Sequence, residues 1–260
     1  MKVALAQFRA RPGDVAWNTQ TIVSQVRAAV ARECNVVVFP EMSDTGYDMP
    51  TILQTASAWD RGAYSEVAAA AAEGRVTVVV GLSERVGGDV YNTVAVLGPT
   101  GELIAKYRKT HLITAEPICE HNYLRRGDSL TLCELAGFRA GLLTCYDIRF
   151  PELARKLTLA GAEILIVPAA WPLVRIHHWE VLTTCRAIEN QVYIAAVNRV
   201  GDDNGLTFGG TSRLLDPFGT VLAVASETEE TLLIGEVSRD RLAEVRGRLK
   251  VFADRRPELY

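Results

Sequence analysis

Ala140-Gly-Leu-Leu-Thr-Cys-Tyr-Asp-Ile-Arg-Phe-Pro-Glu152 runs from an apolar stretch through a cysteine and a polar turn to a proline. The apolar part predicts a buried strand. Pro151, followed by Leu153, Leu157 and Leu159, predicts a helix start. A cysteine between the two is lifted clear of a sheet, and the backbone N–H groups after it can face whatever its sulfur attacks. Cys145 is therefore a candidate nucleophile.

Outward from this stretch, strands and helices alternate. Val3 to Phe8 reads as a strand, and residues 15–33 as an amphipathic helix with Ile22, Val23, Val26, Ala29 and Val30 on one face. Val36-Val-Val-Phe39 reads as a short buried strand, and 63–73 as an Ala-rich helix. Val76–Val80 and Val90–Val96 read as strands, with a turn at Gly87-Gly88-Asp89. Pro99-Thr-Gly101 turns into a strand ending near Tyr107. The second half predicts a strand at 138–144, a helix at 151–160, a strand at 164–167, a helix at 177–190 and a strand at 192–197. Hairpin-like strands follow near 207–215, 220–225 and 231–237, then a helix at 239–247 and a polar tail. Without a linker or low-complexity tract, one domain over 1–260 is expected, of the α/β class with a mixed sheet or sheets.

Composition narrows the function classes. With 48% hydrophobic and 23% charged residues, the chain reads as an ordinary globular protein. A net charge of −3 argues against nucleic-acid binding, and the apolar runs are too short to span a bilayer. Val3-Ala-Leu-Ala6 reads as a strand rather than an apolar leader, so a cytoplasmic location is expected. Five cysteines (34, 119, 133, 145 and 185) at irregular spacing, with no Cys-x-x-Cys, read as thiols rather than disulfides.

Three strand ends carry chemically capable residues: Glu41 after Val38-Phe39-Pro40, Lys109 within Lys106–His111, and Cys145. Sites in α/β proteins gather outside the carboxyl ends of strands. A thiol needs a base, a carboxylate screened from water can serve as one, and an ammonium can stabilise an oxyanion. Taken singly, each reads more readily as a solvated loop acid, a surface lysine and a core cysteine.

In combination, these residues resemble the carbon–nitrogen hydrolases of the nitrilase superfamily over nearly the whole chain. The resemblance rests on Ala6-Gln7, Phe39-Pro40-Glu41, Tyr107-Arg-Lys-Thr-His-Leu112, Cys145–Glu152, Pro168-Ala-Ala-Trp-Pro172, Arg186–Gln191, Asn198-Arg199 and Asp216-Pro-Phe-Gly219. It implies a four-layer α-β-β-α sandwich that pairs through helices into a homodimer or larger assembly. It also implies Glu41 as general base, Lys109 as oxyanion residue and Cys145 as nucleophile, with no metal or organic cofactor. A second glutamate at a fixed distance before a Gly-Asp pair falls on Glu120, ahead of Gly127-Asp128; Glu116, nearer Lys109 in sequence, is its rival.

Cys145 followed by Tyr-Asp, in a compact chain, resembles amidases more than nitrilases or N-carbamoyl hydrolases. The closing stretch Val251–Tyr260 resembles small-amide amidases, omega-amidases among them. A small-molecule amide is the expected substrate. The Tyr146 N–H is expected beside the oxyanion, and Tyr47 and Trp171 are expected to line the acyl pocket, with plain core packing as the alternative. Arg175 is a solvated loop charge or a ligand for a substrate carboxylate. His111 reads as a structural partner near Lys109, with a Cys–His site as its rival. His178 and Cys185, seven apart on a helix, are too few for a metal site. Gly209-Gly210 reads as a turn or close backbone approach rather than a dinucleotide loop. A member of the fold without turnover is the reading from a different class.

Overall fold

The computed structural model describes residues 1–60 and 62–259. In chain order its elements begin with β1 (Lys2–Gln7), α1 (Val15–Val30), β2 (Val36–Val38), α2 (Met49–Thr55) and α3 (Ala63–Gly74). β3 (Thr77–Val86), β4 (Asp89–Leu97), β5 (Leu103–Arg108), β6 (Leu132–Leu135) and β7 (Phe138–Leu142) follow. Then come α4 (Pro151–Leu159), β8 (Ile164–Ala169), α5 (Ile176–Asn190), β9 (Tyr193–Asn198), β10 (Val200–Asp203) and β11 (Leu206–Gly209). β12 (Arg213–Leu215), β13 (Val221–Val224), β14 (Thr231–Glu236) and α6 (Arg239–Arg248) complete the set.

Two six-stranded mixed sheets result, ordered β14-β1-β2-β3-β4-β5 and β13-β12-β9-β8-β7-β6, and β10 and β11 form a separate hairpin. At the heart of each sheet lie three parallel strands, β1-β2-β3 and β7-β8-β9. Their near-continuous apolar runs suit burial on both faces. Val36 and Val38 point into the layer between the sheets, where they join Leu142, Ile164, Ile166 and Val197 from the opposite sheet. Val37, Val78 and Val80 point outward onto Ile22, Val26, Val67 and Ala71 of α1 and α3. On the far side, Leu165, Val167 and Ile194 pack under Leu157 of α4 and Trp179 and Ala187 of α5. The period-two alternation of each strand thus produces the helix–sheet–sheet–helix layering, as expected. No helix among the described residues is long and apolar enough to cross a membrane.

Differences from expectation are local. α1 stops at Val30, and the next residues curl until Glu33 takes a left-handed φ of 57°. The expected strand at 207–215 is split in two. Between them, Thr211 N–H and Ser212 C=O still bond to Ser226 C=O and Ala225 N–H, while Ser212 N–H donates to the side chain of Gln7 and its hydroxyl bonds to the backbone of Asn198. The close approach expected at Gly209-Gly210 is present, with Gly210 N–H donating to Arg199 C=O at 3.1 Å. The short helix α2 and strand β6 were not anticipated, being too brief for a periodic signal. Tyr260, the last residue of the closing stretch, lies outside the described residues.

Candidate active site

The segment following β7 decides how Cys145 is presented. Leu143 N–H still bonds to Ile166 C=O at 3.0 Å, and Thr144 is extended. Cys145 then takes φ of 46°, a left-handed conformation that costs a side-chain-bearing residue free energy. A tight 3₁₀ turn over Cys145–Arg149 follows before α4 begins at Pro151. The strand-to-helix turn was expected; its 3₁₀ form over five residues was not.

Asp147 holds this turn. Its buried carboxylate accepts from Thr144 N–H at 2.9 Å, Tyr107 OH at 2.7 Å and His111 N–H at 3.1 Å. His111 Nδ1 also lies 3.0 Å from Asp147, and its ring stacks on Phe150 at 3.8 Å between centroids. Asp147 therefore ties the cysteine turn to the chain leaving β5, which carries Lys109. His111 takes the structural place, against Asp147 and Phe150.

The other strand ends converge there. Glu41 follows β2, and Lys109 follows β5 with its N–H on Asn92 C=O at 2.9 Å. Lys109 Nζ lies 2.8 Å from Glu41 Oε1 and 2.7 Å from Glu120 Oε1. Exposure of these three side chains is 0–1%, and that of Cys145 is 2%. Burying such charges is tolerable only when every lone pair and proton is matched, and here the matching is close. Glu41 Oε1 also accepts from Asn92 Nδ2 at 2.6 Å, and its Oε2 from Ala170 N–H at 2.8 Å. Glu120 accepts from Tyr47 OH at 2.7 Å and Ile113 N–H at 2.8 Å.

The backbone is cut to fit. Gly81 on β3 leaves room for the Glu41 loop, since a Cβ there would stand 2.4 Å from Pro40 O and 2.7 Å from Glu41 Cα. Gly127 packs likewise on Arg108 O and donates its N–H to Lys109 C=O at 2.8 Å.

The electrostatics follow from this burial. Burial works against the Lys109 ammonium, yet Glu120 and Glu41 outweigh it and hold its pKa well above the usual lysine range. Burial raises the Glu120 carboxyl, with Lys109 pulling the other way. Burial, then the Glu41 charge, push the Cys145 thiol well up, while Lys109 and the Ala170 N–H oppose them. The sulfur thus rests as a thiol beside a matched acceptor and cation, the arrangement needed for proton removal coupled to attack.

Above Cys145 opens a cavity of about 260 Å³, lined by Ile113, Ala115, Tyr146, Arg149, Trp171, Pro172 and Arg175. Tyr146, Trp171 and Arg175 thus line the space over the cysteine. Tyr47 is not in this lining. It backs Glu120 from behind, its ring edge-on to Phe208, and its N–H donates to Asp203 at 2.8 Å. Glu116 is exposed, away from the Lys109 contacts that Glu120 makes. His178 faces Arg149 and Cys185 is exposed; no three His, Cys, Asp or Glu side chains among the described residues are grouped to hold a metal.

Sequence reasoning missed four groups. Asn92 and Ala170 N–H orient Glu41. Asn198 fixes Trp171 by accepting its N–H at 2.7 Å and donating to its C=O at 3.2 Å. Arg149 overhangs the cavity. The available signals were a buried-strand Asn between Tyr91 and Thr93 on β4 and a cation four residues past the cysteine.

The carbon–nitrogen hydrolase family profile matches residues 2–247. A 2-oxoglutaramate amidase of Bacillus subtilis is 40% identical over 88% of this chain and 88% of its own. A human omega-amidase is 34% identical over 94% of this chain and 91% of its own. Among solved structures, a variant amidase from Nesterenkonia superposes with a TM-score of 0.87 at 27% identity, covering 100% of this chain and 95% of that one. That protein carries the acetamide moiety of fluoroacetamide on its active-site cysteine. With a buried cysteine on a strained turn, a lysine between two glutamates, the α-β-β-α layering and these matches, the chain belongs to the carbon–nitrogen hydrolase family.

Proposed function

We propose that this chain hydrolyses short primary carboxamides to the acid and ammonia through a thioester on Cys145. Glu41 takes the thiol proton as sulfur attacks the carbonyl carbon. Lys109 and the Tyr146 N–H hold the resulting oxyanion. The carbon–nitrogen bond breaks as Glu41 passes its proton to the departing ammonia. A water activated by Glu41 then adds to the thioester, and sulfur leaves as the thiol, regaining its proton through Glu41. Glu120 positions Lys109, and Tyr47 positions Glu120. The observation that carries this reading is the Lys109 ammonium held between two buried carboxylates beside the Cys145 thiol.

The finer substrate class is the omega-amide of a short dicarboxylic acid. Two relatives bear names of that activity, and the cavity rim carries guanidinium groups. An ammonia-release screen over short amides, omega-amides, nitriles and N-carbamoyl compounds tests the class. Mass spectrometry after mixing with a slow amide tests the mechanism: the acyl mass is expected on the peptide holding Cys145 and is absent in Cys145→Ala. Acylation of Cys119 or Cys185 instead, or faster turnover of nitriles than amides, overturns the reading.

A further inference from the structure

Charge is shut away from water in two places. One is Lys109 with its two glutamates. The other is Arg199 with Asp203, whose side chains are 1% and 0% exposed. Elsewhere a buried charge meets a partner open to solvent, as in Glu84 with Lys106 and Arg108, Arg213 with Glu180, and Asp216 with Arg241. An ion pair without solvent is costly to bury, and apolar side chains of similar volume often serve stability as well. What such a pair can add is a fixed position.

The position it fixes is that of Tyr47. Arg199, which joins β9 to β10, grips both oxygens of Asp203: Nη2 donates to Oδ1 at 2.9 Å, and Nη1 to Oδ2. Its Nη2 also donates to Ala10 C=O at 2.8 Å. Asp203 Oδ2 then accepts Tyr47 N–H at 2.8 Å. The same guanidinium lies 4.4 Å from the Phe208 ring centroid, and Phe208 meets the Tyr47 ring edge-on at 6.0 Å. Backbone and ring of Tyr47 are thus both held from the β10–β11 hairpin, which belongs to neither six-stranded sheet. The following residues repeat the grip, Asn204 Nδ2 donating to Asp48 Oδ1 at 2.6 Å. From this mount the Tyr47 hydroxyl donates to Glu120 Oε1, the oxygen that also faces Lys109 Nζ, each at 2.7 Å. Arg199, Asp203, Tyr47, Glu120 and Lys109 are all buried, so the chain of contacts runs from hairpin to ammonium without meeting solvent.

We propose that Arg199 and Asp203 are positioning residues for hydrolysis: through Tyr47 and Glu120, this buried pair holds the Lys109 ammonium where the oxyanion forms. The proposal rests on the amidase reading and adds to it a control that lies outside the cavity over Cys145. An oxyanion donor works only where it is held within a fraction of an ångström, and a two-pronged guanidinium–carboxylate contact supplies that precision.

The test measures kcat and KM for propanamide, with a thermal melt beside each. It compares wild type, Tyr47→Phe, the double variant Arg199→Met with Asp203→Leu, and the triple variant that joins them. The double variant replaces both charges by apolar side chains, so it is expected to fold. Its kcat is expected to fall by about ten- to a hundredfold, the cost of an oxyanion group displaced by up to about an ångström, with KM changed by less than about threefold. Acylation and deacylation both pass through an oxyanion, so kcat reports the displacement whichever step limits. Tyr47→Phe is expected to cost a similar factor. The triple variant should be no slower than the worse of its parents, because the pair acts through Tyr47. A folded double variant with kcat within about twofold of wild type overturns the proposal. A loss confined to KM also overturns it, since the hairpin would then only support the cavity wall, where Gly209 N–H donates to Trp171 C=O at 3.1 Å. So does a triple variant in which the two losses multiply. Should the double variant not fold, Arg199→Lys decides: it keeps the charge without the two-pronged grip, and an unchanged kcat there overturns the proposal. Each of these outcomes leaves the amidase reading standing. Wild type that releases no ammonia from any short amide, with no acyl mass on Cys145, refutes the amidase reading and the proposal with it.

Discussion

Replacing Glu41 with glutamine changes one oxygen to an NH₂ group, and the structure says what that does. All three partners of the carboxylate are donors: Asn92 Nδ2 and Lys109 Nζ on one oxygen, Ala170 N–H on the other. Either amide orientation therefore points a donor at a donor. With NH₂ towards Ala170, a fixed backbone N–H is left unmatched. With NH₂ the other way, the Asn92 amide can rotate to accept but the Lys109 ammonium cannot. One buried donor is lost in each case, at about 1–3 kcal/mol. Against this, the substitution removes the excess negative charge of two carboxylates on one ammonium, which relieves part of the burial cost. The net stability change is expected at or below about 2 kcal/mol, a fall of less than about 8 °C in the melting midpoint for a chain of this size. Turnover has no such offset. An amide cannot take the thiol proton, and loss of a positioned base costs about 10²–10⁴-fold. Ammonia release from a short amide, read beside a thermal melt, should show a folded protein slowed by at least about a hundredfold. A folded variant working within tenfold of wild type would mean that Glu41 is not the base.

Three further outcomes are expected. Burial pushes the Asp44 carboxyl up to about 6, against its hydrogen bonds from Ser83. The folded state thus holds this proton more tightly than the unfolded chain, so the contribution is full below about pH 4 and is lost as pH rises through 6. Urea melts of wild type should lose up to about 2–3 kcal/mol relative to Asp44→Asn between pH 4 and 7; parallel pH profiles would refute this. Gly81→Ala puts a methyl into backbone at Pro40 and Glu41 that cannot yield, so both stability and turnover should fall, the former by about 1–3 kcal/mol. Normal amide turnover in that variant would show that the Glu41 loop tolerates displacement. Val181, Cys185 and Ile188 form an exposed stripe on α5, with Leu159 exposed at the end of α4. A homodimer or larger even assembly through these helices is expected by light scattering, and a monomer at assay concentrations would reject it.

What could be read from the chain divides by range of interaction. Cys145 and Glu41 were legible because each stands where a buried strand gives way to polar residues, a local change of pattern, whereas the strand before Lys109 is largely exposed and marked it only as a strand end. The layering was legible for the same reason: runs such as Val36-Val-Val38 fit only strands covered on both faces. Glu120 carried no periodic signal, since it sits in a 3₁₀ turn after an irregular loop; it was reached only through family spacing, and its pairing with Lys109 separates it from the exposed Glu116. Tyr47 was placed in the acyl pocket because aromatics line pockets, but its hydroxyl satisfies Glu120 instead.

The groups that escaped notice act across the fold. Asn92 reaches Glu41 from 51 residues away, and Ala170 N–H from 129. Periodicity reports which face of a strand is buried and is silent about which polar group meets it there. A backbone N–H is silent altogether, since every residue but proline has one. Yet these groups decide the chemistry. Asn198 clamps both sides of the Trp171 peptide, which holds the adjoining Ala170 N–H towards Glu41 and Cys145. A buried carboxylate can wait as a base only if each of its oxygens is held without being neutralised, and that requires donors delivered from both sheets. The placement of the site where the two sheets meet therefore follows from the chemistry: the first sheet supplies Glu41, Asn92 and Lys109, the second Cys145, Ala170 and Asn198, and neither half alone could keep these charges out of water.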